Sequence, residues 1–218
     1  MTFEEILNQY KNTNEDVLRE TPACLLSKKQ GEFTVADYYD LPDDIRVELI
    51  DGVFYDMAAP TVVHQMISLK IGAMLEEYVE ARNGNCSVFV APLDVQLDRD
   101  DKTMVQPDVL VVCDESKVRM DVVSGAPDLV VEVLSASTRK KDTGLKLSKY
   151  KNAGVREYWV VDPDKMTILV YDLTKEDAVS LYGFDGQVPV GIFDGNCVID
   201  FTRIYKRIQP FYGETFDK

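Results

Sequence analysis

The sequence predicts an α/β (α+β) protein in which short buried strands alternate with helices. Three observations carry that reading. Val109–Val112, Leu129–Leu134 and Tyr158–Val161 are Val-rich apolar runs, each too short for a buried helix and bounded by Pro, Gly or charge. Such runs read as buried strands. Val63, Met66, Ile67, Ile71, Met74, Leu75 and Tyr78 recur at helical spacing and stop near Asn83-Gly84, which predicts one amphipathic helix. Asp51-Gly52 separates two β-rich runs, Arg46–Ile50 and Val53–Met57; the pair favours a tight hairpin, because the turn needs positive φ and glycine supplies it.

The remaining elements follow in chain order. Thr2 with Glu5 forms a capping-box pattern ahead of Phe3, Ile6, Leu7 and Tyr10, so a short helix is expected over Thr2–Tyr10. Residues 1–30 read as an N-terminal extension and 31–218 as one domain. A second short helix is expected from Thr34 to before Leu41-Pro42, and His64 stands at the entrance of the long helix. Cys86–Leu97 reads as a strand that Pro92 bends or confines to an edge, followed by a solvated turn at residues 98–102. A polar, helix-prone segment, Thr138–Ala153, lies between the second and third apolar runs. Met166–Tyr171 is the expected hairpin partner of the third run, across the turn cluster Asp162–Lys165. Short pieces at Ser180–Phe184 and Val188–Phe193 precede a helical segment, Asp200–Ile208.

Composition narrows the function classes. The chain has 218 residues, 45% hydrophobic and 28% charged, ordinary values for a globular protein with a sizeable core. No apolar run approaches the ~20 residues of a membrane span, and the acidic start is unlike a signal peptide; a cytoplasmic protein is expected. Cys24, Cys86, Cys113 and Cys197 are far apart, form no CxxC pair and have one histidine for company, so free thiols are expected and a zinc site is not. The net charge of −14 weighs against a protein that coats a phosphate backbone, although a local basic patch or a bound cation can override it.

Two strands carry a carboxylate where a core strand normally carries none: Asp108 opens the first run and Glu132 interrupts the second. If those strands pair, the carboxylates could approach to ~4 Å, where like charges repel by about 4 kcal/mol at an effective dielectric near 20. One of them must then take a proton, or a hard cation must lie between them. Oxygen donors without nearby His or Cys favour Mg²⁺ or Mn²⁺ over zinc. Taken singly, each acid also fits a plain strand-end residue, and Asp128, just after Pro127, fits a strand start. On the following helical segment Lys146 shares a face with Tyr150 and Ala153. Lys140, Lys141 and Lys151 read as solvated, and Lys149 is intermediate. His64, at a helix start, reads first as a cap or surface residue.

VELIDG (47–52), VAPLDVQL (90–97), QPDVLVV (106–112), APDLVVEVLSASTR (126–139), the spaced Asp142, Lys146 and Tyr150, and GVREYWVVDP (154–163) together resemble the Uma-type restriction endonucleases. This group belongs to the PD-(D/E)XK nuclease superfamily and was long catalogued as a domain of unknown function. The resemblance spans roughly Phe33 to Tyr205. It implies a restriction-endonuclease-like fold, a mixed central sheet flanked by helices, and metal-dependent hydrolysis of nucleic acid, DNA first. Carried over by position, it implies catalytic roles for Asp108, Glu132 and Lys146, and a Mg²⁺ or Mn²⁺ site made by Asp108, Glu132, the Val133 carbonyl and Glu48. His64 is an accessory residue, and Lys149 is the rival lysine. Leu134 stands where the superfamily's lysine belongs, and Lys146 is the substitute. A catalytically silent nuclease-fold interaction or regulatory protein is the alternative, and a hydrolase of non-nucleic phosphodiesters is a third. No membrane partner is expected, and a homodimer stays open.

Overall fold

The computed structural model describes residues 28–42, 45–97, 100–135, 139, 141–176 and 178–212. The expected helix over Thr2–Tyr10 and Cys24 lie outside them. In chain order the elements are α1 (Val35–Tyr39), β1 (Val47–Ile50), β2 (Val53–Asp56), α2 (Val62–Glu80), β3 (Ser87–Val90), β4 (Asp94–Gln96), β5 (Met104–Val105), β6 (Val109–Val112), β7 (Val122–Ser124), β8 (Leu129–Val133), α3 (Leu147–Ala153), β9 (Glu157–Asp162), β10 (Thr167–Asp172), β11 (Val179–Gly183), β12 (Gln187–Val190), β13 (Cys197–Asp200) and α4 (Phe201–Ile208).

Among the described residues, β11-β10-β9-β8-β6-β3 form a six-stranded sheet, β2-β1-β5-β4-β7 a five-stranded one, and β12-β13 a two-stranded ribbon. The larger sheet is mixed. β8 and β9 run parallel, joined across α3, while β6 runs antiparallel to β8 and β10 antiparallel to β9. A parallel pair needs such a crossover, which places α3 beside the ends of β8 and β9. The mixed sheet flanked by helices that the resemblance implies is therefore present.

The central strands are buried on both faces, which is why they read as continuous apolar runs rather than alternating ones. Residues of one parity, Val109, Val111, Leu129, Val131, Trp159 and Val161, pack against Ile67, Ile71 and Leu75 of α2 and Ile204 and Ile208 of α4. The other parity, Leu110, Val112, Val130, Tyr158 and Val160, meets Val95, Val105 and Val123 of the smaller sheet and Tyr150 of α3. Gly72 lets α2 approach the sheet closely: a Cβ there would stand 2.6 Å from Cγ2 of Val90.

Local chemistry accounts for the element ends. Thr34 caps α1 in a capping box with Asp37, Thr61 caps α2 through the His64 amide, and Asp200 caps α4. Asp51 and Gly52 both take positive φ at the β1–β2 turn. The peptide before Pro92 is cis and breaks the expected long strand into β3 and β4. The chain from Lys28 is tied to this hairpin: Gly31 donates to the Gly52 carbonyl, and the Phe54 amide donates to Gln30 Oε1 at 2.8 Å.

The cysteines depart from expectation. Cys86 and Cys113 form a disulfide across a sequence separation of 27, and Cys197 is free and buried. The β3–β6 register, ending at Ser87 opposite Val112, sets the two cysteines facing each other one step beyond the ladder. Their sequence spacing carries no trace of that register, so free thiols were the wrong expectation for this pair. Among the described residues, no helix is long and apolar enough to cross a membrane.

Candidate active site

The site lies where β6 and β8 run side by side. Val109 pairs with Val131, so Asp108, one step before β6, falls opposite Glu132. The Val133 amide donates to Asp108 Oδ2 at 2.7 Å. Glu132 occupies one place on the apolar face shared by Val130 and Leu134. A lone carboxylate there would be costly; instead Glu132 Oε1 accepts from Lys146 Nζ and from the Tyr150 hydroxyl, each at 2.7 Å. Leu134 is buried in that same core, and Lys146 brings its ammonium to Glu132 from the helical side.

Lys146 ends a π-helical turn, Lys141–Lys146, that leads into α3. The wider turn brings Asp142, Lys146 and Tyr150 inward together. Lys146 Nζ lies 2.7 Å from Glu48 Oε1 as well, and 3.7 Å from Asp142 Oδ1. Its ammonium thus bridges the two sheets, with Glu48 on β1 and Glu132 on β8. Glu48 faces the site rather than solvent, at 1% exposure. Its Oε1 also accepts from the Gln106 amide at 3.2 Å, and its Oε2 accepts from Lys141 Nζ at 2.7 Å.

Lys141 corrects the sequence reading, which left it solvated: its side chain is largely covered and reaches Glu48 beneath the Tyr55 ring, 5.7 Å from the centroid. Asp142 was also missed as a site residue. Its carboxylate is buried, and its carbonyl accepts from the Tyr158 hydroxyl at 3.0 Å. Asp142 shares the spacing that singles out Lys146, one turn ahead of it, so the same signal could have found it; Lys141 does not, and the π-helical turn sets its direction. Lys149, the rival lysine, reaches away from the acids to Asp51 Oδ1 at 2.8 Å, on the hairpin turn. Asp128 sits at the far end of β8, where it accepts from the Cys113 amide and pairs with Arg156.

His64 is drawn in from the start of α2, with Nε2 3.1 Å from Asp108 Oδ2. Burial pulls its pKa down, but the Asp108 carboxylate and the Val133 main chain outweigh burial and raise it. Its Nδ1 is buried without a hydrogen-bond partner among the described residues. Burial also raises Glu48, yet the ammoniums of Lys146 and Lys141 reverse this and bring it down to about 2. Glu132 moves the opposite way: burial, with the charges of Asp142, Asp108 and Glu48, raises it well above the usual value despite Lys146. Lys146 itself is held firmly as an ammonium, because its three carboxylate neighbours outweigh desolvation.

These side chains floor a cavity of about 420 Å³ whose lining includes Glu48, His64, Asp108, Glu132, Lys141 and Lys146. Four carboxyl groups, those of Asp108, Glu48, Glu132 and Asp142, line the cavity with the Lys141 and Lys146 ammoniums, the Arg46 guanidinium and the His64 imidazole. An all-oxygen donor set suits a hard divalent cation. Asp108 and Glu132 stand opposite each other across the β6–β8 ladder; among the described residues, no three acidic, His or Cys side chains converge as a ready-made metal shell, and both Glu48 oxygens already hold lysines.

Comparison with known proteins bears on the same strands. A crystal structure of a putative nuclease belonging to DUF820 from Anabaena variabilis superposes with a TM-score of 0.67 at 20% identity, covering 80% of this chain and 98% of that one; likeness at that identity establishes the fold. An uncharacterized protein of Synechocystis sp. is 30% identical over 125 residues, which are 57% of this chain and 64% of the relative. The chain thus spans just under two thirds of that relative's length. The sequence profile of Uma2, described as "Putative restriction endonuclease", matches residues 35–191, a span running from α1 past β12 and taking in every side chain of the cavity floor. With well over half its length matched in this way, the chain belongs to the Uma2 family.

Proposed function

We propose that this protein is a divalent-metal-dependent endonuclease that hydrolyses phosphodiester bonds in nucleic acid, with DNA the first candidate on the family's description. The observation that carries the reading is the buried bridge of Glu132, Lys146 and Glu48 beside Asp108, at the floor of one cavity. Asp108, Glu132 and the Val133 carbonyl would hold Mg²⁺ or Mn²⁺, which lowers the pKa of a bound water and offsets phosphate charge. The chain's own residues supply the rest. Lys146 keeps a full positive charge in a site of low dielectric, where it can meet the charge that builds on the phosphate. Glu48 and Glu132 hold that ammonium from two sides, Tyr150 steadies Glu132, and His64 steadies Asp108.

A catalytically silent nuclease-fold protein is the second reading, favoured by the net charge of −14 and by the lysine contacts that already engage Glu48. One experiment separates them. Purified protein is incubated with DNA and RNA in Mn²⁺ at low salt, alongside Asp108→Asn. The nuclease reading expects cleavage by the wild type and none by the variant. A folded wild type that is inert on every substrate establishes the silent reading, and equal cleavage by both proteins traces the activity to a contaminant.

A further inference from the structure

We propose that the cavity over Glu48, Glu132 and Lys146 accepts one unpaired nucleotide of a single-stranded phosphodiester, with Arg46 at its rim binding a phosphate of that strand; this rests on the nuclease reading and names its substrate class. Depth is the first reason. Glu48, Glu132, Asp142 and Lys146 are 1%, 4%, 2% and 3% exposed, so the chemistry sits on a floor rather than on an open face. A cavity of about 420 Å³ falls in the range of clefts that enclose a small ligand, roughly 300–1,000 Å³. The phosphates of a paired duplex are held on a thick convex rod, whereas an unpaired nucleotide can leave the stack and enter such a space.

The walls are the second reason. Met57, Ala58, Pro60 and Pro92 line the cavity above the charged floor. Apolar walls suit a base face and a sugar, and every base offers such a face. They offer nothing to a row of phosphates.

Charge is the third. Proteins that grip a duplex commonly neutralise about 6–10 phosphates with Lys and Arg. Here Lys141, Lys149 and Arg139, on the segment that closes the site, are each tied to a carboxylate. Among the described residues that line the cavity, Arg46 is the cation with no carboxylate partner, and it is exposed. One unpaired guanidinium at the rim of the cavity fits a single phosphate of a threaded strand.

The test uses the full-length protein with three labelled DNAs of one sequence: single-stranded, fully paired, and paired with a short central unpaired gap. In Mn²⁺ the single-stranded and gapped DNAs should be cut at least tenfold faster than the fully paired one. With Ca²⁺ replacing Mn²⁺, fluorescence anisotropy should show the same order in binding, a readout that needs no turnover. Arg46→Ala should raise KM about tenfold with kcat little changed and lower the salt slope of single-strand binding by about 0.7; Arg46→Lys should recover part of the loss. Cutting of paired DNA as fast as single-stranded overturns the inference and leaves the nuclease reading standing. Absence of cutting with single-strand binding intact sinks the nuclease reading alone, and absence of single-strand binding overturns the inference.

Discussion

Lys146 shows how one side chain settles a charge imbalance that the backbone creates. Glu132 and Glu48 approach the interface from different sheets, and neither would be tolerated there as an isolated anion. Removing the ammonium leaves buried charge uncompensated, a loss of about 3–5 kcal/mol, whereas the Lys149–Asp51 pair reaches an exposed turn and contributes less than about 1 kcal/mol. Urea unfolding of Lys146→Ala and Lys149→Ala at pH 7 should show that contrast; equal losses would mean that the bridge does not hold the two sheets together. Titration of Glu48 gives a second prediction. Its folded pKa lies near 2, below the usual 4.5, so its contribution is present above about pH 4.5 and is lost as pH falls toward 2. Asp37 and Asp162, also lowered by their partners, lose stability in the same direction as pH falls. Glu48→Gln should therefore flatten the acid limb of stability between pH 2 and 4.5 without abolishing it. Glu132 has the opposite sign, since its raised pKa makes a rising pH work against the fold.

At the scale of elements, the hairpin and the disulfide carry consequences of their own. Gly52 sits at φ +74°, and a Cβ there would lie 2.6 Å from the Gly31 carbonyl oxygen. Both strain and collision oppose alanine, so Gly52→Ala should cost more than about 1 kcal/mol, the reverse of the gain alanine brings where the backbone suits it. The damage should reach Glu48, because β1, which carries it, runs directly into that turn. A thermal melt that matches wild type would show that the turn relaxes freely. The Cys86–Cys113 bridge closes a loop of 27 residues at the end of β6 remote from Asp108. Chain-entropy arguments give such a closure about 3–4 kcal/mol, and one kcal/mol moves Tm by about 2–4 °C in a domain of this size. Reduction should therefore lower Tm by around 10 °C while the metal response persists; an unchanged Tm on reduction would show that the thiols are not bonded in solution.

Across the whole molecule, the carboxyl groups gathered in the cavity link stability to divalent cations. A metal that binds only the folded state stabilises it by about 2.7 kcal/mol at one hundred times its dissociation constant. Mn²⁺ should raise the Tm of the wild type and not that of Asp108→Asn. Equal shifts in the two proteins would place the cation elsewhere on this acidic surface.

Much of the architecture is legible in the chain because it depends on local pattern. The Val-rich runs, the Asp-Gly hairpin and the stripe along α2 each follow from side-chain periodicity and turn chemistry, and Pro92 marks the break between β3 and β4. The acids Asp108 and Glu132 stand out for the same reason, as charges inside apolar strands, and Lys146 follows from its spacing to Tyr150. Long-range register and departures from ideal helix period are not local, and there the sequence was silent. The pairing of Cys86 with Cys113 required the β3–β6 ladder. The role of Lys141 required a π-helical turn, and the convergence of Glu48 on Lys146 required two sheets to meet. Buried charges find their partners only once the chain is packed, so tertiary structure alone decided which lysine holds which acid.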